Sequence, residues 1–469
     1  MWRGRMFLRS QVLWHAHHDA RLLSLQMSAA RPATVRTCRF FSSSAAGSSS
    51  LAVLSTGLKC PGCGAMMQNS DSAAPGYAPP GRESTCQRCY QMLHYGKHTH
   101  RFPVQKQEFE THLARLKRSK RSSVVVHTVD LVDCEGSLIP YLKDLVGDRN
   151  PVYFVATKLD VLPSRNRGEY SNRISTWFKH RVQDLFPSFS EDTDRTFVVS
   201  GQSGEGVHEA LFPALKRFRR ECEDGPSDVV VVGTTNSGKS TLVNHLASVF
   251  DTFASAREDQ SWTQYDDPKT PGTGFVKSTV SALPSTTLSL VSKPIPKRIG
   301  GGFLIDTPGL ERRDFLDSAI SVDDWAKLCV NKKLVPRSFH LGPGSALQIG
   351  RYLRLMHVQG PECMFVLMAA PALQGTLVKP EDPRKAAAAA VGSVDVGGAA
   401  KEPITECELV VEGSGSPVIA ASDIAIPGIG WISVVCHSPV RVACESRFGI
   451  RPVVRESLTP FASTSSKKT

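Results

Sequence analysis

The segment Val229 to Asn244, VVVVGTTNSGKSTLVN, narrows the possible folds more than any other stretch of this chain. Its valines form a continuous apolar run, which suits a strand buried on both faces of a parallel sheet. Gly233 to Ser240 then fit G-x-x-x-x-G-K-[ST], and Thr241 to Leu246 open a helix-like apolar pattern. A strand, a glycine-rich turn and a helix in that order form a phosphate cradle. Its glycines let backbone N–H groups wrap the phosphates, Lys239 reaches the β- and γ-phosphates, and the Ser240 hydroxyl ligates magnesium. The expected nucleotide contacts here are Gly233, Asn236, Ser237, Gly238, Lys239, Ser240 and Thr241.

The flanking sequence supports a doubly wound α/β domain with a mostly parallel sheet. Upstream, strands are expected at Ser123 to Asp130, Pro151 to Ala156 and Arg195 to Val199. Helices are expected at Gly136 to Gly147, over 168–186 and at Val207 to Cys222. Downstream, β-like segments surround Pro284-Ser285-Thr286-Thr287-Leu288. The strand Phe303 to Ile305 then ends in Asp306-Thr307-Pro308-Gly309. In that setting Thr287 and Asp306 join Ser240 around magnesium, and the Gly309 N–H meets the γ-phosphate. Thr157-Lys158-Leu159-Asp160 closes the second strand, and Ser200-Gly201-Gln202 closes the third. Asp160 can accept from N1–H and N2–H of guanine, whereas adenine has no such donor pair. Lys158 would lie along the base, and backbone N–H groups of 200–202 would meet the guanine oxygen. The order is unusual, because the base boxes precede the phosphate loop.

Of the twelve cysteines, four form Cys60-Pro61-Gly62-Cys63 and Cys86-Gln87-Arg88-Cys89. Two such knuckles bring four thiolates to one tetrahedral zinc, and so small an element needs the metal to fold. The competing reading is a redox pair. His94, His98 and His100 lie nearby but are not needed to complete a four-cysteine shell. The eight single cysteines, Cys329 among them, read as ordinary reduced or buried residues. The formal charge of +12 favours an anionic partner. Residues 1–41 hold seven arginines against Asp19, the composition of an organelle transit peptide, with a basic RNA-binding arm as the alternative. Arg115, Lys117, Arg118, Lys120 and Arg121 form a second basic cluster, either a solvated helix end or a phosphate-contacting patch. No apolar run reaches the length of a membrane span.

Taken together, CPGCGAMMQ, CQRCYQMLHYGK, VDLVDCEGSLIP, TKLDVLP, VSGQSGEGV, GTTNSGKSTLVN, PSTTL and DTPGL resemble the YqeH-type circularly permuted GTPases, a group that includes the organellar nitric-oxide-associated GTPases. The likeness covers roughly 58–320, and extends more weakly through DIAIPGIGWISV and RPVVRESL. It implies a slow GTPase using GTP or GDP, Mg2+ and Zn2+. It also implies a K+ ion held partly by Asn236, for which a turn-stabilising hydrogen bond is the alternative. Lys239, Asn236 and Thr287 would be the catalytic residues. Three positions depart from the usual patterns. Thr157 replaces Asn, which would loosen the tie between base loop and phosphate loop. Ser285 replaces Gly. Leu310 stands where Ras-like GTPases place the water-orienting glutamine.

The expected organisation is a transit peptide at 1–41, a linker at 42–59, a zinc module at 60–104 and a permuted GTPase domain at 105–320. A β-rich partner-binding module follows at 321–469, with a low-complexity insertion at 385–401. The resemblance implies small-subunit ribosomal RNA and pre-ribosomal particles as partners, and Arg39-Phe40-Phe41-Ser42, which resembles a mitochondrial processing site, puts the mitochondrial matrix ahead of the plastid. The alternative is a non-hydrolytic, GTP-bound RNA-binding scaffold. Nitric oxide synthesis finds no haem, flavin or pterin motif in the sequence.

Overall fold

The computed structural model describes residues 58–81, 84–95, 106–163, 167–187, 193–221, 227–255, 287–311, 322–379 and 404–459. A six-stranded sheet organises the first half. Its strands are β1 (Val124–Asp130), β2 (Val152–Thr157), β3 (Thr196–Val198), β4 (Val229–Gly233), β5 (Val291–Pro294) and β6 (Phe303–Asp306), in the order β3-β2-β1-β4-β6-β5. Every pairing is parallel except that of the edge strand β5 with β6. β1 and β4 are wholly buried because each serves two cores. Val125, Val129, Val230 and Val232 face one side, and Val124, Val126, Val229 and Val231 face the other. This double burial is what a run of valines in a parallel sheet requires.

The helices are α1 (Gln87–Tyr95), α2 (Lys106–Arg118), α3 (Cys134–Ser137), α4 (Leu142–Val146), α5 (Arg167–Leu185), α6 (Phe212–Glu221), α7 (Lys239–Ser255) and α8 (Val322–Leu328). Two differ from expectation. The single helix expected over Gly136 to Gly147 is α3 and α4, interrupted at Pro140, whose ring nitrogen cannot donate to the turn before it. The helix expected from Val207 begins as one π-turn, Val207–Leu211, before α6. Pro213 lacks the N–H that would bond four residues back, and Leu211 N instead reaches Gly206 O at 3.1 Å. The basic cluster near Arg115 ends α2, which buries Phe109 and Leu113 on its other side.

Beyond α8 come β7 (Arg337–Leu341), β8 (Ala346–Ile349), β9 (Leu353–Gln359), β10 (Cys363–Ala369), β11 (Gly375–Val378), β12 (Thr405–Val411), β13 (Ala420–Ile426), β14 (Gly430–Val435), β15 (Val440–Ser446) and β16 (Val453–Glu456). They form two antiparallel sheets, β16-β13-β14-β10-β7 and β11-β8-β9-β15-β12, with an apolar core between them. β10 is buried along its whole length. Phe365 and Leu367 enter that core, while Met364, Val366 and Met368 join the core that contains α5. A charged latch strengthens the same contact. Arg455 of β16 pairs with Glu135 of α3 and lies over the Trp177 ring of α5, and Trp177 Nε1 donates to Glu456 O at 3.1 Å. Among the described residues no helix is long and apolar enough to cross a membrane.

Candidate nucleotide and metal sites

The phosphate loop, the segment after β6 and the two base boxes follow the carboxyl ends of parallel strands, and Thr287 reaches the same edge from ahead of the antiparallel β5. β4 leads into the phosphate loop and β6 into Asp306-Thr307-Pro308-Gly309. β1 leads into Leu131 to Asp133, and β2 and β3 lead into the two base boxes. In open α/β sheets this edge is where ligands bind. Local backbone strain gathers there too. Of the three non-glycine residues with positive φ among the described residues, Lys158 (64°) and Asn236 (60°) belong to these loops.

Lys239, the first residue of α7, is nearly buried, and its Nζ donates to Thr234 O at 2.6 Å. Ser237 Oγ donates to Thr234 O at 2.9 Å and lies 2.7 Å from Thr128 Oγ1, so β1 braces the loop from beside it. The segment after β6 adds to the loop as a further strand would. Thr235 N donates to Leu310 O at 2.9 Å, and Leu310 N donates to Gly233 O at 3.1 Å. Gly309 lies so close that a Cβ there would stand 3.0 Å from Lys239 Nζ and from Thr235 Cα. Leu310 itself is buried, so this position packs rather than orients water.

Ser240, Thr287 and Asp306 meet. Ser240 Oγ donates to Asp306 Oδ2 at 2.9 Å, Thr287 Oγ1 donates to the same oxygen at 3.2 Å, and the two hydroxyls are 3.2 Å apart. Asp306 is fully buried. Desolvation pushes its carboxyl above the usual range, opposed by Lys239 and by the two hydroxyls. Its second oxygen, Oδ1, is buried without a hydrogen-bond donor among the described residues. Three hard oxygen groups around a desolvated carboxylate fit Mg2+, which prefers oxygen ligands and retains water or phosphate in the rest of its shell.

At the other end of the edge, Ser200 Oγ donates to Asp160 Oδ1 at 2.7 Å, which joins the two base boxes. Asp160 is exposed and Ser200 buried, so the carboxylate stands at the surface on a fixed support. Gly201 packs against the start of α7 at Leu242, and Gln202 follows it in the turn. Lys158 Nζ pairs with Asp130 Oδ2 at 2.6 Å, and Asp130 also caps Val132 N. Sequence reasoning gave Asp130 no role, although its place at the end of β1 in VDLVD was a usable signal. The tie expected to be loosened by Thr157 is made by its hydroxyl, which lies 2.8 Å from Ser237 O and 3.2 Å from Val129 O. Asn236 Nδ2 donates to Cys329 Sγ at 3.0 Å, a contact the sequence did not suggest. Pro284, Ser285, Thr286, His98 and His100 lie outside the described residues, as do 1–57 and 385–401.

Cys60, Cys63, Cys86 and Cys89 are buried, with their Sγ atoms all within 4.8 Å of one another. Backbone N–H groups of Cys86 and Cys89 point at Cys60 Sγ (3.4 Å) and Cys86 Sγ (3.5 Å), contacts that favour thiolates. Four converging soft ligands fit zinc.

Residues 228–333 match the family model described as "50S ribosome-binding GTPase". The YqeH protein of Bacillus subtilis is 28% identical over 403 residues, covering 85% of this chain and 98% of that protein. "NO-associated protein 1, chloroplastic/mitochondrial" of Arabidopsis thaliana is 27% identical, covering 81% of this chain and 70% of that protein. "Nitric oxide-associated protein 1" of Homo sapiens is 28% identical over 279 residues, 51% of this chain and 37% of that protein. The resemblance read from the motifs therefore holds across the chain's homologues. The match and the site geometry together give the chain a P-loop GTPase domain, which implies GTP or GDP and Mg2+ as ligands.

Proposed function

We propose that this chain is a circularly permuted, GTP-hydrolysing switch that acts in assembly of the small ribosomal subunit of an organelle, the mitochondrion ahead of the plastid. One observation carries the nucleotide part. The phosphate loop, the Ser240–Thr287–Asp306 cluster and the Asp160–Ser200 pair all lie on one edge of one sheet, though the base boxes come first in the chain. Permutation accounts for this, because the strand holding the phosphate loop remains central, between β1 and β6.

In this reading Lys239 neutralises phosphate charge, and backbone N–H groups from Gly233 to Thr241 and of Gly309 cradle the phosphates. Asp160, Lys158, Thr157 and residues 200–202 select guanine. Ser240, Thr287 and Asp306 would hold Mg2+, which supplies charge neutralisation between the β- and γ-phosphates. With Leu310 buried and no glutamine in its place, intrinsic turnover is slow. Asn236, held beside Cys329, is the side chain through which K+ would raise it. Equal turnover in Na+ and K+ with the partner bound would remove that element.

The four-cysteine cluster is a structural zinc module. The sheets after α8 are an RNA- or partner-binding module, docked through Arg455 and β10. An organellar setting is supported by the Arg-rich first 41 residues and by a relative named chloroplastic/mitochondrial. The small subunit comes from the resemblance, whereas the matching family is described by 50S binding. Gradient sedimentation of organelle extract tests both. GTP-bound protein is expected with small-subunit precursors and GDP-bound protein at the top. A large-subunit peak would move the reading to that particle, and equal sedimentation in both nucleotide states would remove the switch.

A further inference from the structure

Thr287 and Leu288 are adjacent, yet they bind to different centres. Thr287 Oγ1 reaches Asp306 and Ser240. The Leu288 N–H donates to Cys63 O at 2.8 Å, and the Ser289 N–H donates to the same carbonyl at 3.1 Å. The Leu288 side chain packs against the buried cysteine cluster. Gly64, at φ +77°, completes the fit, because a Cβ there would lie 2.6 Å from Ser289 O. A few residues later Val291 pairs with Asp306 itself in the β5–β6 ladder. The chain at Thr287 is thus held between the knuckle and the sheet.

We propose that the four-cysteine module positions Thr287, so that zinc occupancy and the GTP-bound state are thermodynamically coupled. Cys63 would be a zinc ligand through Sγ and is the acceptor of two successive backbone bonds, so holding its Sγ would also hold its carbonyl. One virtual bond of about 3.8 Å separates the Cα atoms of Leu288 and Thr287, which leaves little slack between carbonyl and hydroxyl. GDP lacks the γ-phosphate whose presence makes a threonine at this position a magnesium ligand, so it gains nothing from Thr287 being in place. Coupling is reciprocal: if the knuckle favours Mg·GTP, Mg·GTP must hold the knuckle, and with it the zinc. Leu288 and Cys63 are positioning residues, since neither touches nucleotide. The inference rests on the proposed magnesium role of Ser240, Thr287 and Asp306.

The test uses zinc-loaded full-length protein with Mg2+ and either GDP or a β,γ-imido GTP analogue. Two quantities are measured: the zinc affinity, by competition with a chromogenic chelator at equilibrium, and the ratio of affinities for the two nucleotides. Zinc is expected to bind at least about fivefold more tightly with the analogue than with GDP, the low end of ordinary coupling. Leu288→Ala, which empties the contact with the cysteine cluster and keeps the backbone bonds to Cys63 O, is expected to shrink that difference and to lower the affinity ratio by the same factor while GDP affinity stays the same. Leu288→Met, which refills the contact with the cysteine cluster, restores both. A module that merely stabilises the fold gives equal zinc affinity with either nucleotide, which overturns the inference. Thr287→Ala separates the two levels. If it lowers the affinity ratio and Leu288→Ala does not, only the coupling fails. If Thr287→Ala also leaves the ratio unchanged, the magnesium reading fails first.

Discussion

The Cys60–Cys63–Cys86–Cys89 cluster and the Ser240–Thr287–Asp306 cluster meet at the Thr287–Leu288 dipeptide, each residue of which contacts one of them, but they are built for different tasks. The first gathers four soft atoms from two knuckles, all at most 1% exposed, and leaves no position for anything else. The second gathers three hard oxygen groups beside a buried lysine, and one carboxylate oxygen has no donor among the described residues. A closed shell holds structure, whereas an incomplete one holds a ligand that comes and goes. The same contrast applies at larger scale. The knuckle module has a small apolar cluster made largely of its own cysteines, while the six-stranded sheet has extensive cores on both faces.

If that contrast is right, the largest effect is zinc removal. Structural zinc is worth on the order of 10 kcal/mol in small modules, so Cys63→Ala or exhaustive chelation should unfold residues 58–95. Limited proteolysis should cut there while GDP stays bound. Next comes Lys239→Ala, expected to lower affinity for both GTP and GDP by about 100-fold, or about 3 kcal/mol, through loss of charge-assisted bonds. Titration calorimetry measures it, and zinc content should not change.

A smaller effect lies beneath the phosphate loop. Burial, helped by Lys239, pushes His127 down to about 3, and its Nε2 accepts from Ile139 N. The folded protein then refuses a proton that the unfolded chain takes up near pH 6.5. Stability is therefore lost as pH falls from 6.5 towards 3. Between pH 7 and 5 the loss from this residue is about 2 kcal/mol. Asp423, raised to about 6 by burial, works in the opposite sense below pH 6. The difference between wild type and His127→Gln in denaturant titrations at the two pH values isolates the histidine, because Asp423 is common to both. Least is expected of Thr157→Ala, which removes the hydroxyl beside Ser237 O and should cost about 1 kcal/mol in nucleotide affinity, roughly fivefold.

The local parts of this site could be read directly. The phosphate loop, Asp306 to Gly309, the TKLD box and the paired knuckles each carry their chemistry within a few residues, and the valine runs announced the central strands. What joins these parts was hidden. The bonds Lys158–Asp130 and Thr157–Ser237 link positions 28 and 80 residues apart. They depend on which loops end on neighbouring strands, which no local pattern encodes. The pairing of Leu288 with Cys63 is of the same kind. Cys329 looked ordinary because nothing near it in sequence suggests contact with Asn236. The sequence of β10 is a plain apolar run, and its burial on both faces comes from docking against α5. Pro140 and Pro213 are plain in the sequence, but the first splits one helix into two and the second follows a single π-turn at the start of α6.

The central claim, a guanine-specific nucleotide switch built on a permuted sheet, is tested most directly by changing the base it selects. Asp160 accepts from Ser200 through Oδ1 and would accept the guanine N1–H and N2–H groups. In Asp160→Asn the amide oxygen can keep the serine bond while the amide nitrogen donates to the 2-oxo group of xanthine. Phosphate release from GTP, XTP and ATP should be measured for both proteins with Mg2+ and K+. Wild type is expected to prefer GTP, Asp160→Asn to prefer XTP, and neither to use ATP. Unchanged GTP preference in the variant, or ATP turnover matching GTP in the wild type, would contradict it.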